Sequence, residues 1–315
     1  NIWWVFNDRG NVHEETGSNS SIGLEVQAQA FAFNTDDETA DATFYNYKII
    51  NRSTSTLNQT YLGLWVDPDL GNYQDDFVGC DVTLGLGYCY NGDSNDEGVY
   101  GYNYNSNEPP PAIGVDFLRG PLATPNDDID NDRDGEIDEE GETIMMSKFV
   151  YYNNDFTAKG NPEDPCHYYG YLKGIWKDGQ PITYGGTGWE SNNPECSFMF
   201  PDNTDPDFPN NSWTETTAGN NPADRRFLQS TGPFNIEPGG IEFITTGAIW
   251  ARASEGNNLS SVEKLKEVDS NIQELFDNCF NDINDSCAVY GCMDTLALNY
   301  SQYVCIDNGS CCYGE

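Results

Sequence analysis

Apolar and polar positions alternate with a period of two along the first sixty residues. Leu24, Val26, Ala28, Ala30 and Ala32 fall on one face, with Glu25, Gln27, Gln29, Phe31 and Phe33 on the other, the pattern of a half-buried strand. The opening Asn1-Ile2-Trp3-Trp4-Val5-Phe6 is also strand-like. Segments 43–50 and 61–66 predict two further strands around the turn-rich 51–59. Strand-like runs return at 148–152, 175–176 and 241–251, where Phe243, Thr245, Gly247 and Ile249 alternate with Ile244, Thr246, Ala248 and Trp250. Between Asp67 and Asp138 the chain reads as largely loop, rich in Asp, Asn, Gly and Pro. Loops of that length are usually functional or held by ions. The pattern predicts a mainly β protein, an antiparallel β-sandwich whose strands are discontinuous in sequence.

One amphipathic helix is expected over 261–280. Val262, Leu265, Val268, Ile272, Leu275 and Phe276 recur at helical spacing, and Ser260 with Glu263 offers a capping box at its start. Its apolar stripe should pack on the sheet. After Cys279 the composition shifts, so a body over 1–286 and a small cysteine-rich tail over 287–315 are expected. The tail is too small for a core of its own and needs covalent staples.

Charge changes the picture next. Fifty-two acidic residues face 14 Lys and Arg, a net charge of -38. The compact state must resist strong self-repulsion, and clustered carboxylates make divalent cations the expected remedy. The same balance excludes nucleic acid as a partner, because phosphate neutralisation rests on Lys and Arg. No run approaches the roughly 20 apolar residues of a membrane-spanning helix. The chain starts at Asn1 without a signal peptide, as expected of a mature piece.

The sharpest acidic cluster is Asp128-Ile129-Asp130-Asn131-Asp132-Arg133-Asp134-Gly135-Glu136-Ile137-Asp138. Alternate carboxylates place several oxygens around one point, and Ca2+ takes six to eight hard oxygen ligands. With Asp130 in the first place of an EF-hand loop, Asp132, Asp134, Gly135 and Ile137 match, whereas Gly141 stands where the bidentate Glu belongs. Asp138, Glu139 or Glu140 would then close the shell, as in the calcium loops of thrombospondin type 3 repeats. Asp128, Asp130, Asp132, Asp134 and Asp138 are the candidate ligands. A second candidate site gathers Asp67, Asp69, Asp75, Asp76 and Asp81 at a strand end, with Asx turns as the plainer explanation.

Ten cysteines beside Gly, Asn and Asp point to disulfides and an oxidising compartment. Cys80 with Cys89, Cys166 with Cys196 and Cys279 with Cys287 are the expected local pairs. Cys292, Cys305, Cys311 and Cys312 remain in the tail with three connectivities open. No catalytic constellation stands out, since His13 and His167 lie in no metal or nucleophile motif. Loop tryptophans such as Trp189 and Trp213 could stack on sugars.

Longer stretches carry a resemblance. Phe44-Tyr45-Asn46-Tyr47-Lys48-Ile49-Ile50-Asn51-Arg52 leads into Trp65-Val66-Asp67-Pro68-Asp69-Leu70-Gly71, with Asp75-Asp76-Phe77-Val78-Gly79-Cys80-Asp81 and Gly87-Tyr88-Cys89-Tyr90-Asn91 following. Pro111-Ala112-Ile113-Gly114-Val115-Asp116, Gly174-Ile175-Trp176-Lys177-Asp178-Gly179 and Pro222-Ala223-Asp224-Arg225-Arg226-Phe227 continue the match. These residues, covering most of 1–280, resemble large secreted proteins of Bacteroidota exported by the type IX secretion system. The tail, in Gly291-Cys292-Met293-Asp294 with Ala297-Leu298-Asn299-Tyr300 and Asp307-Asn308-Gly309-Ser310-Cys311, is similar to a short repeat of the same proteins. Such copies often run in tandem there, which implies a stalk and a sorting domain beyond Glu315. The resemblance implies a cell-surface or extracellular address and marks Thr295, in Asp294-Thr295-Leu296, as an O-glycosylation candidate. It implies no reaction.

These features lead to one functional expectation: a calcium-stabilised structural or adhesive module of a secreted or surface protein, partnered by other surface proteins, copies of itself or glycans. The alternative is a carbohydrate-binding module or glycan-processing enzyme.

Overall fold

A computed structural model describes residues 1–10, 20–96, 108–190, 192–278 and 280, and in the tail 290–292, 294, 297, 300, 306–307 and 311–313. The period-two segments form strands β1 (Ile2–Asn7), β2 (Leu24–Phe31), β3 (Ala42–Asn51), β4 (Leu57–Val66), β8 (Lys148–Asn153) and β10 (Ile241–Ala251). Strands β5 (Asp76–Asp81), β6 (Leu86–Asn91) and β7 (Ala112–Arg119) lie inside the segment expected to be loop, and β9 (Arg225–Ile236) was not expected at all. The reason is burial. All six residues of β5 and of β6 are buried, and a strand covered on both faces has no polar face to create alternation.

Two antiparallel sheets result, one of seven strands in the order β1-β2-β3-β10-β7-β6-β5 and one of three in the order β4-β9-β8. They enclose a core that includes Val78, Phe117, Phe149, Phe227 and Ile244. The expected β-sandwich is therefore present. Helix α1 (Pro165–Leu172) lies on the smaller sheet, where a Cβ on Gly63 would sit 2.3 Å from Leu172 Cδ2. Helix α2 (Glu215–Ala218) is a single turn beside β5.

Helix α3 (Asn258–Asp277) covers the outer face of the seven-stranded sheet. Val262, Leu265, Val268 and Ile272 join Leu86, Tyr88, Leu118 and Ile249 in a second apolar layer. Each such burial contributes roughly 1.5–3 kcal/mol. The helix begins three residues before the expected 261, because Asn257 caps it. Asn257 Oδ1 accepts from Ser260 N at 3.1 Å, and Ser260 Oγ accepts from Asn257 N at 3.2 Å. Ser260 thus fills the third helical position of the box and Asn257, the stronger capping residue, the first.

In the tail a disulfide joins Cys292 to Cys311, and β11 (Tyr290–Gly291) pairs with β12 (Ile306–Asp307). The body cysteines depart from the expected pairing. Cys80 stands opposite Gly87, and Cys89 opposite Val78, so the two residues are diagonal neighbours with Cα atoms roughly 7–8 Å apart, beyond the usual reach of a disulfide. Both are buried and unbridged. Cys166 on α1 and Cys196 are likewise unbridged. Cys279, Cys287 and Cys305, with Thr295 and His13, lie outside the described residues, and Cys312 is exposed. Among the described residues no helix is long and apolar enough to cross a membrane.

Candidate metal centre in the acidic loop

The loop between β7 and β8 is stitched at its base. Ala123 N donates to Glu142 O at 2.9 Å and Ile144 N to Pro121 O at 2.8 Å. Left-handed backbone at Arg133 (φ 63°) and Gly135 (φ 101°) coils the intervening chain. Inside the coil each Asp caps the turn that follows it. Asp130 Oδ2 accepts from Gly135 N at 3.1 Å, Asp132 Oδ1 from Asp134 N at 3.2 Å and Asp134 Oδ1 from Glu136 N at 2.8 Å. Coiling and alternation together bring one oxygen each of Asp130, Asp132 and Asp134 within 4.8 Å of one another.

Asp132 belongs also to a second triad, with Glu139 and Glu142, at the same spacing. Desolvation pushes Asp132 up to about 6, and the charges of Asp134, Glu139 and Glu142 add to the rise against the Asp134 amide. Asp130 Oδ1 and Glu139 Oε2 are buried without a hydrogen-bond partner. Among the described residues Arg133 forms no ion pair with these carboxylates, although its charge interacts with Asp130 and Asp132. Its Nη2 donates to Met146 O at 2.9 Å and its guanidinium lies over the Phe198 ring at 5.4 Å.

Two triads that share Asp132 therefore gather five carboxylates, all hard oxygen donors without thiolate or imidazole among them, the donor set suited to Ca2+. Two of the residues expected from sequence stand apart. Asp138 accepts from Asp127 N at 2.8 Å and Asp128 N at 3.1 Å, so it closes the turn where Asp128 sits with φ 61°. Glu142, buried and holding the Asn131 amide, is drawn into the second triad instead. A Glu directly after Gly141 was the available signal, but the EF-hand register places the last ligand one residue earlier.

The second sequence cluster disperses. Asp67 and Asp69 meet Asp224, yet Arg226 already spans Asp67 at 3.0 Å and Asp224 at 2.8 Å. Asp76 and Asp81 lie at opposite ends of β5, about 17 Å apart along an extended strand, and cannot share one ion. Asp76 is buried, with Oδ2 accepting from Leu70 N at 3.2 Å. Burial first, then the charges of Asp75 and Asp96, push it up to about 9, although the Leu70 amide lowers it in part. Asp75 accepts from Asn72 Nδ2 at 2.9 Å. Asp81 holds Lys266 Nζ at 2.9 Å. Of the two loop tryptophans, Trp213 is buried with its indole N–H on Gly186 O, while Trp189 is exposed and donates to Asp178 Oδ2 at 3.0 Å.

No protein-family profile matches the chain, and no curated protein sequence matches it either.

Proposed function

We propose that the protein is an extracellular structural or adhesive module, stabilised by calcium in the 130–142 loop and carried to the cell surface by type IX secretion. The observation that carries this reading is the convergence of Asp130, Asp132, Asp134, Glu139 and Glu142, with buried oxygens on Asp130 and Glu139 that accept no hydrogen bond. Repulsion among these carboxylates opposes folding, and a divalent cation is the chemistry that converts it into attraction. Calcium bound here would cross-link the base of the loop at Glu142 to its tip at Asp134.

Contacts with copies or other surface proteins have a suitable element in β1, an edge strand whose Ile2 and Trp3 are 68% and 64% exposed. An apolar edge without a pairing strand among the described residues favours pairing with another chain. The glycan-binding alternative loses one of its two loop tryptophans to the core. The test is thermal unfolding in calcium and in excess chelator. A Tm raised by calcium in the wild type, and raised far less in Asp132→Asn/Glu142→Gln, is expected. An unchanged wild-type Tm on chelation would overturn the reading.

A further inference from the structure

Asp116 and Asp269 are completely buried between β7 and α3, and none of their four carboxylate oxygens has a hydrogen-bond partner. Much of their setting is apolar. Positions 112, 114, 116 and 118 of β7 turn toward the helix, where Ala112 and Leu118 pack with Leu265, Val268 and Ile272. Helix and strand are pressed close, since a Cβ on Gly114 would lie 3.1 Å from Leu265 Cδ2, and the turn between β5 and β6 closes on the acid, since a Cβ on Gly85 would lie 2.9 Å from Asp116 Oδ1. One turn beyond Asp269, Gln273 donates through Nε2 to Leu118 O at 3.2 Å and to Asp277 Oδ1 at 2.8 Å, which leaves its buried Oε1 without a partner.

The groups around the pair deepen the problem. Asp81 and Asp277 raise Asp116 further after desolvation, and the Phe117 amide offsets this only in part, without reaching hydrogen-bond geometry. Asp269 is raised by desolvation and by the charges of Asp116 and Asp81. Lys266, the cation on this face of α3, is committed to Asp81. Isolated buried carboxylates cost several kcal/mol each unless they are neutralised.

A single shared proton would satisfy one oxygen of each acid and leave the others and Gln273 Oε1 bare. A cation uses them all. We propose that Asp116 and Asp269 hold a calcium ion in the interior, with Gln273 Oε1 as a third protein ligand, and that this ion clamps α3 to the seven-stranded sheet. The site is separate from the 130–142 loop, and the inference stands whether or not that loop binds metal.

The test uses the whole chain and Ca2+ as probe. Bound calcium is counted after gel filtration for the wild type, for the near-isosteric Asp116→Asn/Asp269→Asn variant and for Asp132→Asn/Glu142→Gln. The interior variant should carry one ion fewer than the wild type, and should melt above the wild type in chelator but below it in saturating calcium. Hydrogen exchange of the α3 amides in the loop variant supplies a readout that leaves the interior acids intact, and calcium should slow it at least tenfold. Equal calcium content in wild type and interior variant, or α3 exchange indifferent to calcium, would overturn the proposal. An interior variant more stable at every calcium concentration would likewise overturn it in favour of a shared proton.

Discussion

Glu215 and Arg225 form a two-point ion pair in the interior, with Arg225 Nε 2.9 Å from Glu215 Oε1 and Nη2 2.7 Å from Oε2. Glu215 Oε1 also accepts from Val78 N at 3.1 Å, so the pair covers an outward amide of β5, the last strand of the larger sheet. Burial raises Glu215, and the Arg225 charge pulls it back. An edge strand sealed in this way is closed to further pairing, in contrast to β1 at the opposite end.

Arg225→Met should therefore cost about 3–5 kcal/mol, because it strands a buried carboxylate. Glu215→Gln added to it should recover part of the loss, since the amide is neutral and its Oε1 can still receive the Val78 amide. Urea unfolding of the two single variants and the double variant measures the coupling. Strict additivity would show that the pair is energetically idle.

Two glycines with left-handed backbone should respond very differently to alanine. A Cβ on Gly71 (φ 59°) would lie 1.6 Å from Asp96 Oδ2, whereas one on Gly135 (φ 101°) meets nothing within 4 Å. Gly135→Ala should cost only backbone strain, about 1 kcal/mol. Gly71→Ala must displace a buried carboxylate as well and should cost several times more on the same scale. Denaturant midpoints at constant m-value decide between them.

Glu242 on β10 makes stability depend on pH. Burial pushes it up to about 7 from an ordinary 4.5, offset in part by the Leu122 amide and the Arg119 charge. The folded state holds this proton more tightly than the unfolded chain. Its contribution is therefore most favourable below about 4.5 and is lost as pH rises to about 7, a change on the order of 3 kcal/mol. Glu242→Gln should remove that slope and be more stable than the wild type at pH 8 but not at pH 4, as read by unfolding at each pH.

Thiol chemistry distinguishes the body from the tail. Burial raises the Cys80 and Cys89 thiols, so both should resist a disulfide reagent in the native protein and react once it is unfolded, while the exposed Cys166 reacts at once. Peptide mapping after native alkylation checks this, and a linked peptide joining Cys80 to Cys89 would contradict the diagonal register of β5 and β6.

Legibility followed exposure. Where one face meets solvent, as along α3, periodicity stands in the residues themselves. The alternating acids of 130–134 were readable because carboxylates two and four residues apart are brought together by local coiling. Asp138 caps the turn at 127–128, a use of a carboxylate that spacing does not distinguish from ligation, and the approach of Glu142 to Asp132 depends on the loop's base closing through Ala123 and Ile144.

Alternation, charge and spacing along the chain were enough to determine a mainly β sandwich with one long helix and a crowded acidic loop, since each of these is a property of neighbours in sequence. Only the tertiary structure decided that 76–81, 86–91 and 225–236 are strands, that Cys80 and Cys89 miss each other by two residues of register, and that Asp116 and Asp269 are buried together between β7 and α3. Those outcomes depend on which surfaces are removed from water together, and burial of that kind joins residues far apart in sequence without leaving a local pattern in either partner.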